Sequence, residues 1–367
     1  MKRTRKINIR LTAIALILCL FAGLLAGCSG GKSDDYGAVI KGIDSYYHKL
    51  GNLDDDESIT YAPYFRAGDA ISDWLIIATA RAGIDTPDYE TYLKDLESYV
   101  NKAYADRGSL NEYMATEWHR AILAALVSGG DPRAFGTGRD GKPIDLVDEG
   151  IFHWDVTGGI DEQGSNGAIH ALVTLDAGGW EDPADAVYGR PELIRRILNY
   201  AGADGSIGLV GKGGDVDLTA MALYALSPYR EDETVYTLDD GTEMTVPEEI
   251  EKGLAYLQEA MSQGGYYLYG SAFSADSDAQ VILALCALGI DPTADERFQK
   301  AGGNPVTALM SFRGEDGGFA TALDREGKPE ESNVLATRQV EMALTALLLL
   351  QRNGNGNVFD FSNRLNG

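Results

Sequence analysis

Six stretches of the chain are apolar on nearly every side. They begin at Ser72 ("SDWLIIATARAGID"), Thr116 ("TEWHRAILAALVSGGDP"), Ser165 ("SNGAIHALVTLDAGG"), Val216 ("VDLTAMALYALSPY"), Ser277 ("SDAQVILALCALGIDP") and Ala336 ("ATRQVEMALTALLLLQ"). Each runs for roughly 10–16 residues, too long for a strand, and an apolar residue on every face predicts a helix buried on both sides. Glycine follows at Gly83, Gly129, Gly178 and Gly289, where a helix C-terminus favours it.

Six more polar segments alternate with these: Tyr36–Leu50, Asp88–Tyr104, Ile144–His153, Arg190–Ala201, Pro247–Ser262 and Asp295–Phe312. In the fifth, Ile250, Leu254, Leu257 and Met261 fall at helical spacing while Glu248, Glu249, Glu251 and Lys252 face away. The order is therefore outer helix, loop, inner helix, repeated six times. An open stack would leave one side of the apolar layer wet, so the pattern predicts an all-α fold closed into an (α/α)6 toroid over residues 36–367. Asp140-Gly141 and Asp240-Gly241 predict hairpin-like turns in the long insertions Gly136–Asp145 and Glu231–Val246.

The N-terminus has a different pattern. Residues 1–28 carry five basic residues, no acidic one and an apolar run from Leu11 to Leu25, the layout of a secretory signal peptide. The following Leu25-Ala26-Gly27-Cys28 resembles the lipobox of bacterial lipoproteins. By that resemblance residues 1–27 are cleaved, Cys28 is lipidated (a palmitate-type acyl anchor), and residues 28–35 are a polar tether holding the domain on the extracytoplasmic face of the cell membrane. Removing five positive charges takes the formal charge from −25 to about −30, which disfavours nucleic acid as a partner. Cys286 then stands alone in "VILALCALG", so no disulfide framework is expected.

The loops leading into the later inner helices share glycine-rich turns: "YAGADGSIGL", "QEAMSQGGYYLYG" and "FRGEDGGFATAL". These resemble degenerate versions of the glutamine–tryptophan repeat of squalene cyclases and protein prenyltransferases. The mature chain resembles bacterial exported proteins with prenyltransferase/squalene oxidase repeats, whose terpenoid cyclase-like toroid is also that of the helical domain of transcobalamin and intrinsic factor. The resemblance implies a corrinoid as one bound ligand, although the chain has no room for the second domain that those carriers use. It also implies a comparison with class II terpene cyclases, whose Asp-x-Asp-Asp-Thr-Ala motif is matched by Asp215-Val216-Asp217-Leu218-Thr219-Ala220 with Leu218 in place of an acid. On that match Asp217 would be the catalytic proton donor. The prenyltransferase zinc site has no counterpart, because no histidine stands at ligand spacing to a second His or Cys, and neither a metal nor an obligatory cofactor is expected.

If the six inner N-termini ring one mouth, that mouth collects Asp73, Trp74, Glu117, Trp118, Asn166, His170, Asp215, Asp217, Thr219, Asp278, Gln280, Arg338, Gln339 and Glu341, with Tyr266, Tyr267 and Tyr269 on the rim. Amides, carboxylates and tryptophans above an apolar bowl suit a small-molecule site. Each also has a plainer explanation: helix caps and dipole partners for the aspartates, including the pairs Asp215–Asp217 and Asp276–Asp278 that could mimic a hard-cation site, and core packing for Trp74, Trp118 and His170. Three function classes stay open. The first is a non-catalytic, monomeric lipoprotein that binds an amphipathic ligand and hands it to a membrane transporter or surface protein. The second is an enzyme, terpenoid cyclase-like or glycan-active with two carboxylates. The third is a surface protein-interaction module.

Overall fold

Asp69, Asp215, Ser274 and Asn333 each turn a side-chain oxygen onto the backbone N–H groups that open an inner helix, and these caps set the register of the protein. The inner helices are α2 (Ala70–Ala82), α4 (Ala115–Val127), α5 (Ser165–Gly178), α7 (Val216–Leu226), α9 (Ala275–Ala287) and α11 (Val334–Asn353). The computed structural model describes residues 35–156, 158–363 and 365, so the expected leader, Cys28 and nearly all of the expected tether lie outside the described residues. Gly37–Gly367 forms one compact unit.

Contacts among the inner helices run in a circle. α2 packs on α4, α4 on α5, α5 on α7, α7 on α9, α9 on α11, and α11 returns to α2. This explains the all-round apolar pattern, because each helix meets two inner neighbours and, on its third side, the outer layer. α11 is long and apolar enough to cross a bilayer, yet its buried residues serve this ring. Gly83 ends α2 in the left-handed conformation (φ 73°), and Gly179, one residue beyond the expected Gly178, ends α5 (φ 63°).

The outer layer is less regular than its sequence pattern suggests. α1 (Tyr36–Gly51), α3 (Tyr89–Arg107), α6 (Arg190–Asn199) and α8 (Val246–Ala260) are helices as expected. The third outer segment, expected over Ile144–His153, is only a π turn at Asp148–Phe152. The sixth is reduced to a 3-10 turn at Glu296–Phe298 and the short α10 (Pro305–Met310), because Gly302-Gly303 and Pro305 break the helical run. Both insertions form hairpin-like turns: Phe135 bridges Ile144, and β1 (Tyr236–Thr237) pairs with β2 (Glu243–Met244). They are fastened to outer helices, through Asn101 accepting from Thr137 N and Asn199 accepting from Asp239 N. A third hairpin, β3 (Leu268–Tyr269) with β4 (Ala272–Phe273), leads into α9 and exposes Tyr269 and Phe273.

The final segment crosses the C-terminal ends of the inner helices. Arg81 at the end of α2 donates to the carbonyl oxygens of Val358 and, at 3.1 Å, Asp360. Tyr224 near the end of α7 bonds Asn357 and accepts from Phe359 N at 3.1 Å. Gly356 lies against Cys286 of α9 so closely that a Cβ there would come within 2.6 Å of the cysteine carbonyl oxygen. Val358 and Phe359 are buried beneath this crossing and put a floor under the ring.

Candidate functional site

The residue four places after each of those four N-caps has one shared task. Asp73 accepts from Gly68 N at 2.8 Å, Thr219 from Ile207 N at 2.8 Å, Asp278 from Tyr267 N at 2.6 Å and Thr337 from Phe319 N at 2.9 Å. Each pins the incoming loop, and the side chain behind the pinned N–H, where it is large, fills the core: Ile207, Tyr267 and Phe319 are fully buried. The repeated glycine-rich loops are therefore a packing device. Asp73 and Asp278 are fully buried pins, and Glu341 is likewise fully buried, accepting from the Tyr47 hydroxyl at 3.0 Å.

Other expected mouth residues also turn to structural work. Asp215 caps α7 by accepting from Leu218 N at 2.9 Å. Glu117 accepts from the Tyr99 hydroxyl and the Asn111 amide. Trp118 is not at the mouth: only 2% exposed, it packs edge-on against Tyr104 and Trp154 in the outer layer, its indole N–H donating to Asn111 O at 3.0 Å. Its position on α4 turns it away from the ring axis. Tyr266 stacks on Phe273 at 4.5 Å and steadies the β3–β4 hairpin. Asn166 is half-buried, with its Oδ1 lacking a hydrogen bond.

Five expected residues do converge. Trp74, His170, Gln280, Arg338 and Gln339 line one cavity of about 210 Å³ inside the ring, together with Ile169, Val173, Met221, Leu283 and Met342, and with Tyr224 and Phe359. Trp74 lies 5.7 Å from the His170 ring and meets Phe359 edge-on at 6.2 Å. Burial holds the His170 imidazole down to about 4, so it is neutral at physiological pH. Burial also lowers Arg338 to about 10, and its Nε has no hydrogen-bond partner. Gln280 donates to Gln339 at 2.8 Å, and Gln339 donates to Asp276 at 2.7 Å. This amide chain leads out of the cavity to a second recess.

That recess is lined by Asp217, Asp276, Ser274, Thr321, Ala322 and the hairpin residues Tyr269, Ala272 and Phe273. Burial raises Asp217, and burial together with the Asp217 charge pushes Asp276 up to about 6. Asp217 is thus neither the cap nor the pin of α7. Asp215→Ala should cost about 0.5–2 kcal/mol, whereas Asp217→Asn should be neutral or slightly stabilising in urea unfolding. A larger loss at Asp217 than at Asp215 would reverse these assignments.

Three contributors escaped the sequence pattern. Arg120 is one: its Nε bonds Asp73 Oδ2 at 2.9 Å, beside the Tyr92 hydroxyl on Oδ1 at 2.7 Å. An arginine within an apolar run was the available signal. Asp276 was visible only as part of an acidic pair, and Phe359 lies in a tail with no pattern. Among the described residues no group of three or more His, Cys, Asp or Glu could hold a metal ion.

No known protein family and no curated protein matches the sequence. Solved structures do. Protein geranylgeranyltransferase-I of Candida albicans, determined with GGPP, is similar over 87% of this chain and 94% of its own, with 10% identity and a TM-score of 0.52. Unsaturated glucuronyl hydrolase of Bacillus sp. GL1 is similar over 88% of this chain and 97% of its own, with 13% identity and a TM-score of 0.49. At such identity the likeness to the transferase concerns the fold alone. It defines the class: a mostly helical protein of α/α toroid type.

Proposed function

We propose that the chain is a lipid-anchored extracytoplasmic protein whose (α/α)6 toroid binds a small amphipathic molecule in the cavity above Phe359. What carries this reading is that one cavity has aromatic and aliphatic walls and converging polar groups, Arg338, Gln280, Gln339 and His170, the usual composition of a ligand pocket. A cavity of about 150 Å³ is enough for benzene, so this one suits a ligand of one or two rings. A corrinoid is too large to enter and would have to lie across the mouth. Transfer to a membrane transporter or surface protein fits an anchor at Cys28.

A second reading rests on the outer recess. Two carboxyls raised by burial, Asp217 and Asp276, stand beside the exposed aromatic residues Tyr269 and Phe273, a combination suited to acid-assisted hydrolysis of a glycan. Asp276, at about 6, would be the better proton donor.

One purification from the native host, in non-ionic detergent, tests both. Mass spectrometry should find a small molecule bound to the wild-type chain and absent from Leu283→Trp, which fills the cavity. Cys28→Ser should leave unprocessed precursor or release the domain from its lipid anchor, with the ligand retained. Wild-type protein that carries nothing, and that cleaves a glycan in a manner abolished by Asp276→Asn, would replace the binding reading with the enzymatic one.

A further inference from the structure

Within the ligand-binding reading, the charge of the cavity specifies the ligand further. The chain has 56 acidic and 31 basic residues, yet no carboxylate lines the cavity, and Arg338 is its one permanently charged wall residue. Several other buried or half-buried arginines are paired, Arg120 with Asp73, Arg190 with Asp176 and Asp182, and Arg196 with Asp161 and Glu192, while buried Arg81 donates to the carbonyl oxygens of Val358 and Asp360. Arg338 has no ion pair or hydrogen bond among the described residues, and its Nε is cut off from water. Asp276, whose charge acts on it, lies outside the cavity wall and is engaged by Gln339 at 2.7 Å.

Leaving a guanidinium desolvated without a counter-ion is costly. An incoming carboxylate offsets that cost with two parallel N–H···O bonds, the geometry that a guanidinium fork matches best. The Gln280–Gln339 pair stands beside it as a neutral hydrogen-bonding surface, and Trp74, Leu283, Met342 and Phe359 leave only apolar contact for the rest of the ligand. A dianion would bring a second charge with no second cation among the lining residues to meet it, and Arg120 is already committed to Asp73. We propose that the cavity is a receptor for a small monocarboxylate, its carboxylate seated on Arg338 and its apolar body against the wall formed by Trp74, Leu283, Met342 and Phe359. The inference rests on ligand binding in this cavity and adds the charge and chemical class of the ligand.

The test uses the full chain in non-ionic detergent and matched probes measured by titration calorimetry: benzoate, phenylacetate and hexanoate against benzamide, phenylacetamide and hexanamide, with inorganic phosphate as the dianion control. The acids should bind at least tenfold more tightly than their amides, a difference of about 1.4 kcal/mol. Arg338→Gln should erase that preference by weakening the acids at least tenfold more than the amides, and Arg338→Lys should keep part of it. Melting of both variants at or above the wild-type temperature establishes that the cavity is intact. Amides that bind as tightly as acids, an acid preference that survives Arg338→Gln, or phosphate that competes as well as the carboxylates would each overturn the monocarboxylate and leave ligand binding standing. Binding of neither series at millimolar concentration would overturn both.

Discussion

Arg120→Ala should lower the stability of the domain by roughly 3–5 kcal/mol, the range for breaking a buried ion pair from one side. Its partner Asp73 is fully buried and accepts from Gly68 N, the Tyr92 hydroxyl and Arg120 Nε. Burial outweighs these contacts and raises the Asp73 carboxyl, so loss of the guanidinium would leave it with no compensating charge. Arg120 also donates to Gly68 O at 3.1 Å, and its removal loosens the loop that Asp73 pins. Adding Asp73→Asn to Arg120→Ala should recover part of the loss, because the orphaned charge is gone. Urea unfolding of the four members of this cycle measures it. A loss below 1 kcal/mol for Arg120→Ala would mean that water reaches Asp73 when the arginine is absent.

Stability should also fall as pH rises from 5 to 8, through two glutamates. Glu341 is fully buried with Oε1 unpartnered, and Glu249 is fully buried with neither oxygen hydrogen-bonded. Burial pushes both up to about 8, from an ordinary value of 4.5. Between those values the folded protein keeps protons that the unfolded chain has released, so unfolding sheds protons and is favoured by rising pH. The contribution is whole below about 4.5 and is lost as pH rises through about 8, with an upper limit of about 5 kcal/mol for each group. Glu341→Gln and Glu249→Gln should each flatten the profile and melt higher than wild type at pH 8, with little difference at pH 5. Wild-type protein that melts higher at pH 8 than at pH 5 would refute the assignment.

How far the fold was legible follows from how local its causes are. The inner helices announce themselves because each is apolar on every face, a signal contained within one segment. The third and sixth outer segments do not, since a helix there depends on how much backbone the neighbouring layer demands, and glycine and proline shorten it. The site was legible only in part for a similar reason. Trp74, His170, Gln280, Arg338 and Gln339 face the ring axis because of their offset from the helix cap. Asp73, Thr219, Asp278 and Thr337, one or two residues away, face the loops instead. A one-residue rotation on a helix is about 100°, and no composition signal distinguishes the two directions. Trp118 fails for this reason. Asp73 could not be told from a ligand-binding acid without Arg120, 47 residues further along.

The way the ring closes governs the order in which the protein can be made. Its last inner helix must find its first, with α11 returning to α2, and the floor is supplied later still by Val358 and Phe359 reaching Arg81 and Tyr224. Contacts spanning almost the whole sequence form slowly, because the entropy of closing so long a loop is lost before any burial repays it. A nascent chain that stops short of α11 has five apolar inner helices and no surface to bury the exposed sides of the end ones. Synthesis therefore passes through a long interval in which the chain depends on other factors for solubility. The ring should close only when the segment carrying Val358 and Phe359 has left the ribosome.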